Sequence, residues 1–428
     1  MKVLMFGWEF PPNISGGLGT ACYGLTKGLA ENDVDIIFVM PKAYGDEDAS
    51  NFRLVSADGM PVHTHTATYR TLFEKMMYWE VNSFIIPYLS PEEFLLYSEE
   101  QLANTSKTVN TASTRYHFTG KYGKDLLTEV WNYARVAAEI VANNTFDVIH
   151  VHDWLSFPAG IIAKEISGKP LVAHLHATEF DRSGGNKVNE QIYEIEREGL
   201  HHADKIIAVS ELTRQIVINN YGMAPEKVFT IYNAVDDTSV NEAVKPERIF
   251  KEKIISYVGR ITYQKGPDYF VEAAGKVLKE DKNFRFIMAG SGDMLHQVVR
   301  RAAQLRISSH FHFAGFLKGG EVGKLFAMSD AYVMPSVSEP FGISPLEALR
   351  AGVPVIISKQ SGVREILTRA ISVDFFDVDA MADAIHAVAT YKSLANMVVR
   401  DSRIEMQNLK WISQAAKVKE LYQDLVKN

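Results

Sequence analysis

The sequence has 428 residues but only one cysteine, Cys22. A single cysteine excludes an internal disulfide framework and a zinc site built from cysteines alone. Long apolar runs are also missing, because no stretch reaches the roughly 18 residues that suggest a membrane-spanning helix. The apolar run before Glu9 and Pro11 is too short for the core of a signal peptide. We therefore expect a protein of the reducing cytoplasm, without stable membrane insertion.

An excess of basic residues is likewise missing. Lysine and arginine number 45 against 52 aspartate and glutamate residues, which gives a net charge of −7. Proteins that bind nucleic acid usually carry a basic surface for the phosphates, so we expect no nucleic-acid partner. The length exceeds the roughly 100–200 residues of one domain and predicts two or three.

Apolar strand-like runs alternate with helical periodicity along most of the chain. This alternation is typical of parallel sheets covered by helices on both faces. The predicted strands of the first half are residues 2–8, 34–40, 147–151, 170–176, 205–209 and 228–232. Those of the second half are residues 254–258, 284–289, 310–314, 331–334, 354–357 and 370–373. Residues 42–120 mix turn signals with aromatic stretches and give no assignment.

A charged stretch without periodicity, residues 233–253, separates the two halves. The fold class predicted is α/β, with two doubly wound, Rossmann-like domains at residues 1–240 and 241–407. A final helix is predicted near residues 408–428. Its apolar face is formed by Trp411, Ala415, Val418, Tyr422 and Leu425.

The stretch 335–352 combines a strand end, a turn and a helix start. Glu339 lies in the turn, and Ser344 has the position of an N-cap, with Glu347 at the spacing of a capping box. Backbone N–H groups around Gly342 could receive an anion or a sugar hydroxyl. Two interpretations stay open from the residues alone. Either the glutamates are structural and stabilise the turn and the helix cap, or they flank a ligand.

Two other strand ends in the first half carry candidate residues. The loop with Gly16 and Gly17 follows the first strand, where doubly wound sheets bind ligands, although its spacing is not that of a dinucleotide fingerprint. His152, Asp153 and His176 follow two later strands. Four histidines at 150, 152, 174 and 176 could suggest a metal, but acidic ligands are few, and we expect core histidines at 150 and 174.

A basic pair opens the second half, directly after its first strand. Arg260 and Lys265 lie in the segment Gly-Arg-Ile-Thr-Tyr-Gln-Lys-Gly, between Gly259 and Gly266. A guanidinium and an ammonium are suited to bind and neutralise a diphosphate. The alternative is a pair of solvated charges. Asp33-Val-Asp35 and Asp377-Val-Asp379 stand at element boundaries, and we do not expect them to hold a metal.

These motifs together carry a resemblance to a known family. Glu-Pro-Phe-Gly at 339–342 followed by Glu-Ala-Leu at 347–349 resembles the Glu-x7-Glu signature of retaining nucleotide-sugar glycosyltransferases of the GT-B type. The opening Phe-Gly-Trp-Glu-Phe-Pro-Pro, Gly-Gly-Leu, His-Asp-Trp and Gln-Lys-Gly are similar to the compact glycogen and starch synthases. The resemblance spans almost the whole chain. It departs at the loop before Gly16, where Asn13 and Ser15 replace the usual lysine.

The resemblance implies a GT-B fold, with two domains facing a cleft and a last helix that crosses back to the first domain. The first domain would bind the acceptor and the second the donor. The catalytic residues implied are Glu339, His176, Arg260, Lys265 and Asp153. The donor-binding residues implied are Gly16, Gly17, Arg260, Lys265, Phe316, Phe341, Gly342, Ile343, Ser344 and Glu347. Among these, Glu347 would bind the ribose, and His176 a hydroxyl of the donor sugar.

The resemblance also implies a reaction. It is the retaining transfer of glucose from UDP- or ADP-glucose to the non-reducing end of an α-1,4-glucan, with no metal and no cofactor. Aromatic residues of the first domain, Tyr78, Trp79, Phe84, Tyr88 and Phe94, could pack against sugar rings or belong to the core. Transfer to a small sugar, a sugar phosphate or a lipid-linked acceptor is the alternative. A sugar-nucleotide-binding protein without catalysis is a second one.

Overall fold

The computed structural model of the chain describes residues 1–14, 16–62, 114–123, 125–185, 187–235, 251–317 and 320–427. Within these residues the strands form two parallel sheets and one short antiparallel pair. No helix in this part of the chain has the length and apolar character needed to cross a bilayer.

The first sheet has seven parallel strands, in the order β3-β2-β1-β6-β7-β8-β9. Its strands are β1 (Lys2–Phe6), β2 (Asp35–Met40), β3 (Arg53–Ser56), β6 (Val148–His152), β7 (Leu171–Leu175), β8 (Lys205–Ala208) and β9 (Val228–Thr230). The antiparallel pair consists of β4 (Pro61–Val62) and β5 (Thr114–Arg115). Strands β1, β6 and β7 are completely or almost completely buried, as strands covered by helices on both faces should be.

The second sheet has six parallel strands, in the order β12-β11-β10-β13-β14-β15. Its strands are β10 (Lys253–Val258), β11 (Phe284–Ala289), β12 (Phe311–Gly315), β13 (Ala331–Met334), β14 (Val355–Ser358) and β15 (Ile371–Val373). Both sheets reverse their strand order once, between β1 and β6 and between β10 and β13. Such reversals open a crevice at the carboxyl ends of the strands, where ligands bind.

Helices connect the strands. Those of the first half are α1 (Gly17–Glu31), α2 (Leu126–Ala142), α3 (Asp153–Ser167), α4 (Glu179–Ser183), α5 (Glu190–His202) and α6 (Glu211–Tyr221). Those of the second half are α7 (Pro267–Glu280), α8 (Leu295–Gln304), α9 (Gly320–Met328), α10 (Ser344–Arg350), α11 (Val378–Thr390), α12 (Lys392–Glu405) and α13 (Trp411–Lys427). The α/β class with two doubly wound sheets is confirmed.

The sequence prediction missed several elements. Helices α3, α4 and α12 were not predicted, and β3 lies in the unassigned interval 42–120. After β14 the chain forms only a short 3-10 helix, Gly362–Glu365. The aromatic residues between 78 and 94 and the predicted boundary at residue 240 lie outside the described residues.

The last helix crosses back to the first half, as predicted. Helix α13 packs along α1, and two glycines of α1 provide the space. A Cβ at Gly24 would lie 2.1 Å from the Trp411 ring, and one at Gly28 would lie 2.7 Å from the Trp411 carbonyl oxygen. The Asn32 side chain also donates to the Ile412 carbonyl, at 2.9 Å. Helix α13 thereby joins the end of the chain to the first half.

We predict that Gly24→Ala lowers the thermal midpoint, because the added methyl group overpacks against Trp411 and overpacking costs about 1–3 kcal/mol. Gly323→Ala is the matched control, since a Cβ there meets no atom within 4 Å in the middle of α9. The control should be neutral or stabilised by up to about 1 kcal/mol. Equal melting shifts for the two variants, measured by circular dichroism, would contradict the assigned packing.

Candidate functional site

An ion pair lies at the carboxyl ends of β10 and β13, next to the reversal point of the second sheet. Lys265 ends the 3-10 helix Tyr263–Lys265 after β10, and Glu339 lies in the loop after β13. The Lys265 Nζ lies 2.5 Å from Glu339 Oε2, and the Ser336 hydroxyl donates to the same oxygen at 3.1 Å. The Glu339 side chain is only 8% exposed. The structure therefore brings these two predicted residues together.

Backbone contacts fix the loop that carries Glu339. The Glu339 N–H donates to the Gln360 carbonyl at 2.9 Å, and the Glu339 carbonyl accepts from the Gly362 N–H at 2.9 Å. On the other side, the Val337 N–H donates to the Gln264 carbonyl at 2.9 Å. Gly266 has φ +60°, and a Cβ there would lie 2.2 Å from the Pro335 carbonyl oxygen. The Glu339 and Lys265 loops are thus packed against each other and rigidly placed.

Arg260 provides a second cation beside this pair. Its Nη2 donates to the side-chain oxygen of Gln264 at 3.0 Å, and its carbonyl accepts from the Tyr257 hydroxyl at 2.6 Å. Among the described residues, Arg260 forms no ion pair with a carboxylate. Its guanidinium donates to a neutral amide rather than to a carboxylate, so its charge is suited to bind an anion.

The structure corrects the predicted capping box at Ser344 and Glu347. Helix α10 begins at Ser344 itself, with Ile343 as N-cap and no side-chain cap. Ile343 already has helical dihedral angles, φ −77° and ψ −37°, because Gly342 makes the turn at φ +102°. The Glu347 carboxylate is therefore not used by the cap, and burial raises its pKa.

The two phenylalanines predicted at the donor site differ in their surroundings. Phe341 is 1% exposed and packs against the Tyr232 ring, with ring centroids 6.0 Å apart. Its side chain is part of the core, so only its backbone could contact a ligand. Phe316 follows β12 and is 46% exposed, so its ring is free to stack on a planar group.

In the first half, the glycine loop lies between β1 and α1. Gly16 is the N-cap of α1, and a Cβ at Gly16 or Gly17 would meet no atom of the described residues within 4 Å. A hydrogen bond fixes the first turn of α1, because the Gly19 N–H donates to Glu9 Oε1 at 3.2 Å. The backbone at residues 16 and 17 therefore borders open space, into which a ligand could fit closely.

Asp153 positions the loop that carries His176. It starts α3 with the uncommon φ of +56°, directly after β6. Its Oδ1 accepts from the backbone N–H of His176 at 2.6 Å and from that of Ala177 at 3.4 Å. The family resemblance implied a catalytic role for Asp153. In the structure, its carboxylate holds the backbone of the loop after β7.

Four imidazoles form a column at the ends of β6 and β7. The His152 Nδ1 lies 3.0 Å from His176 Nε2, and the His150 Nε2 lies 3.3 Å from His174 Nδ1. His150 also hydrogen-bonds the Tyr422 hydroxyl of α13. Burial lowers the pKa of all four, and that of His176 falls to about 3. All four rings are neutral at physiological pH, so His176 offers a hydrogen bond rather than a charge.

Residues that the sequence did not single out join the two halves beside the site. The Ser338 hydroxyl donates to Asp181 Oδ1 at 2.6 Å, and Asp181 closes a capping box with Thr178 at the start of α4. The Glu365 carboxylate accepts from the first N–H groups of α6, those of Glu211 and Leu212, at 2.8 Å each. The Thr-x-x-Asp spacing at 178–181 could have predicted α4. The contacts between the halves leave no signal in the sequence.

The two Asp-x-Asp pairs have structural roles at a distance from these residues. Asp377 caps α11 by accepting from the Ala380 N–H at 3.0 Å, and Asp379 forms an ion pair with Lys276. Asp33 has φ +58° in the turn before β2. The candidate site instead has two cations and a carboxylate at the strand ends of the second sheet, and neutral imidazoles at strand ends of the first sheet. Cations can neutralise an anion, and a neutral imidazole can hydrogen-bond a hydroxyl.

We predict that Asp153→Asn removes a pH dependence of stability. Burial raises the pKa of Asp153 from 3.8 to about 7. The folded state then holds a proton that the unfolded chain has lost, so stability falls as pH rises from about 4 to about 7, by up to about 4 kcal/mol. Asparagine keeps the acceptor for the His176 N–H and tolerates positive φ.

Denaturant unfolding of both proteins across this pH range measures the effect. The stability of the wild type relative to Asp153→Asn should decrease as pH rises and become constant above the pKa of Asp153. Asp153→Ala is the control that removes the acceptor, and it should be less stable than Asp153→Asn at every pH. Parallel curves for the wild type and Asp153→Asn would contradict a buried, proton-binding Asp153.

Comparison with known proteins identifies two families along the chain. Residues 98–239 match Glycosyltransferase Family 4, and residues 240–403 match Glycosyl transferases group 1. An uncharacterized glycosyltransferase of Methanocaldococcus jannaschii is 29% identical over 87% of this chain and 84% of its own length. A glycogen synthase of Mycobacterium tuberculosis is 24% identical over 99% of this chain and 94% of its own length.

A third relative is the UDP-Gal:α-D-GlcNAc-diphosphoundecaprenol α-1,3-galactosyltransferase of Escherichia coli. It is 24% identical over 68% of this chain and 78% of its own length. The donor and the lipid-linked acceptor in its name differ from those of a glycogen synthase. The relatives therefore share the enzyme class but not one substrate.

Solved structures agree on the fold. The sucrose-phosphate synthase of Thermosynechococcus elongatus superposes with a TM-score of 0.73 at 16% identity, over 100% of this chain and 99% of its own. The catalytic domain of starch synthase IV from Arabidopsis thaliana, bound to ADP and acarbose, superposes with a TM-score of 0.66 at 15% identity. The superposition covers 100% of this chain and 99% of that domain. The family matches, the two reversal points and the superpositions lead to one conclusion. The chain carries the two domains of a GT-B glycosyltransferase, a Glycosyltransferase Family 4 segment followed by a Glycosyl transferases group 1 domain.

Proposed function

We propose that this glycosyltransferase moves glucose from UDP- or ADP-glucose to the non-reducing end of an α-1,4-glucan, with retention of the anomeric configuration. The single observation that carries the proposal is the Lys265–Glu339 pair, with Arg260 beside it, at the reversal point of the second sheet. Cations in this place suit a nucleoside diphosphate leaving group, and a carboxylate beside them suits the sugar.

The leaving group is stabilised by side chains in this proposal. As the glycosidic bond breaks, negative charge develops on the diphosphate, and Arg260 and Lys265 lie where they can neutralise it. Lys265 turns from Glu339 toward the phosphates, which frees the carboxylate to face the donor sugar. The Ser336 hydroxyl stays as a partner for Glu339. The reaction needs no divalent metal and no cofactor, because the two basic side chains supply the positive charge.

The remaining donor contacts come from both halves. The backbone at Gly16 and Gly17 approaches the phosphates, and the backbone of residues 341–344 contacts the donor at the start of α10. Glu347 binds the ribose, since the helix cap leaves its carboxylate unused. Phe316 lies beside the base, with its ring exposed for stacking.

His176 orients the donor sugar through a hydrogen bond to a hydroxyl. Its ring stays neutral across the working pH range, since burial lowers its pKa to about 3. Asp153 acts through His176 by holding the backbone of its loop. The acceptor hydroxyl attacks on the face from which the diphosphate leaves, which gives retention without a covalent intermediate on the enzyme.

The glucan acceptor rests on similarity to the glycogen synthase, which matches 99% of this chain. The galactosyltransferase relative, with a lipid-linked acceptor, favours the alternative. Small sugars and sugar phosphates belong to the same alternative. A binding protein without catalysis is the second one, and the presence of both cations, Glu339 and His176 argues against it.

We predict that Glu339→Gln and Lys265→Ala each lower turnover at least about a hundredfold, because each removes charge stabilisation that acts in the transition state. Lys276→Ala is the matched control, since Lys276 forms an exposed ion pair with Asp379 in the same domain. The control should keep the wild-type rate. Rates of nucleotide release at saturating donor, with melting curves for folding, measure the effect. Near-normal turnover of either site variant would refute the assigned roles.

An incubation with a panel of substrates tests the reaction itself. Purified protein in EDTA is mixed with a panel of nucleotide sugars and with glycogen, maltooligosaccharides, glucose 1-phosphate or a lipid acceptor. We expect chain extension of the glucans from UDP- or ADP-glucose, with an α-linked product. Transfer only to another acceptor would overturn the glucan assignment, and binding without turnover would favour the non-catalytic alternative. Activity that returns only with added magnesium or manganese would contradict metal independence.

A further inference from the structure

A thiol and two imidazoles meet where the glycine loop and the histidine column adjoin. Cys22 lies on α1, His152 ends β6, and His176 follows β7. One donor atom from each of the three residues lies within 4.8 Å of those from the other two. Cys22 and His152 are completely buried, and His176 is partly exposed. The three residues come from separate elements that the reversal point of the first sheet brings together.

Both imidazoles have an unsatisfied nitrogen. The His152 Nε2 and the His176 Nδ1 are buried and find no hydrogen-bond partner within the described part of the chain. These two nitrogens lie on the outer sides of the rings, because the other two, His152 Nδ1 and His176 Nε2, face each other at 3.0 Å. The facing pair is close to the separation of two ligand atoms on one tetrahedral ion, so these are the nitrogens that one ion could take. Both rings are neutral, because burial lowers the pKa of each, and the neutral imidazole is the form that coordinates metals.

Burial raises the pKa of the Cys22 thiol, and Asp153 and Glu9 raise it further. A divalent cation would reverse this effect, because a coordinating thiol is deprotonated. Its proton would pass to solvent, and the thiolate would bind the ion.

We propose that Cys22, His152 and His176 form a binding site for a thiophilic divalent cation of the Zn²⁺ class, and that the bound ion inhibits sugar transfer. One sulfur and two nitrogens, with water as a fourth ligand, are the donor set that tetrahedral zinc accepts. Ligand atoms around such an ion lie roughly 3.5 Å apart, so small side-chain shifts complete the site. Magnesium prefers oxygen ligands and would not bind here.

The inhibitory part rests on the proposed function. An ion held by His176 removes this imidazole from the donor sugar and puts positive charge beside it. The site itself does not depend on that function, because it follows from the positions of the three side chains alone.

Titration with Co²⁺, a spectroscopic substitute for Zn²⁺, tests the site in the full-length protein. Cys22 is the only cysteine of the chain, so any thiolate-to-cobalt charge-transfer band must arise from it. We expect this band to saturate at one ion per chain, together with the intense visible absorption of a tetrahedral complex, and to disappear when Zn²⁺ is added. Cys22→Ala and Cys22→Ser should both lack the band. His201→Gln, which changes an exposed histidine at the end of α5, should keep it.

The activity arm tests inhibition. At a Zn²⁺ concentration about ten times the dissociation constant, mass action should leave about one tenth of the activity, and EDTA should restore it. Cys22→Ala should keep its activity under the same conditions. Absence of the thiolate band in folded wild-type protein would overturn the site. Binding with unchanged activity would overturn the inhibition alone. If no sugar transfer is found with any donor, the spectroscopic arm still decides the site.

Discussion

The ion pair between Lys265 and Glu339 depends on the pairing of two strands distant in sequence. Because β10 and β13 are neighbours, the loops after their carboxyl ends share one edge of the sheet. The side chains of Lys265 and Glu339 are only 21% and 8% exposed, and removing one partner of a buried pair costs about 3–5 kcal/mol. Any anion that draws Lys265 away must therefore compensate for this cost. In the proposed reaction, this coupling frees the Glu339 carboxylate when the anion binds Lys265.

The first sheet also carries its candidate residues at its reversal point, but their side chains are different. Its reversal point places the glycine loop beside the ends of β6 and β7, where neutral imidazoles replace charged groups. Asp153 holds the His176 backbone, and Tyr422 of the last helix hydrogen-bonds His150. The last helix, which packs on α1, is thus connected to the histidine column through His150. The two halves also meet directly through Ser338 and Asp181.

Outside residues 42–120, the strands and the residue types at their ends could be predicted from the sequence, because apolar runs and turn residues are local signals. Strand order could not, and it is strand order that brings Lys265 within 2.5 Å of Glu339. The capping box at Ser344 was wrong because Ile343 adopts a helical backbone that its sequence does not reveal. Phe341 looked like part of a binding loop, but tertiary packing buries its ring. The hydrogen bond from the His176 N–H to Asp153 joins residues 23 positions apart and has no local signature.

A crystal structure of the chain with the nucleoside diphosphate, UDP or ADP, is the most direct test of the central claim, that the cations at this edge receive the leaving group. The account predicts diphosphate oxygens within hydrogen-bonding distance of Arg260 and Lys265, with Lys265 Nζ moved away from Glu339 Oε2. The base should lie on the side of Phe316 and the ribose beside Glu347. A diphosphate bound elsewhere, with the Lys265–Glu339 pair unchanged, would contradict the account.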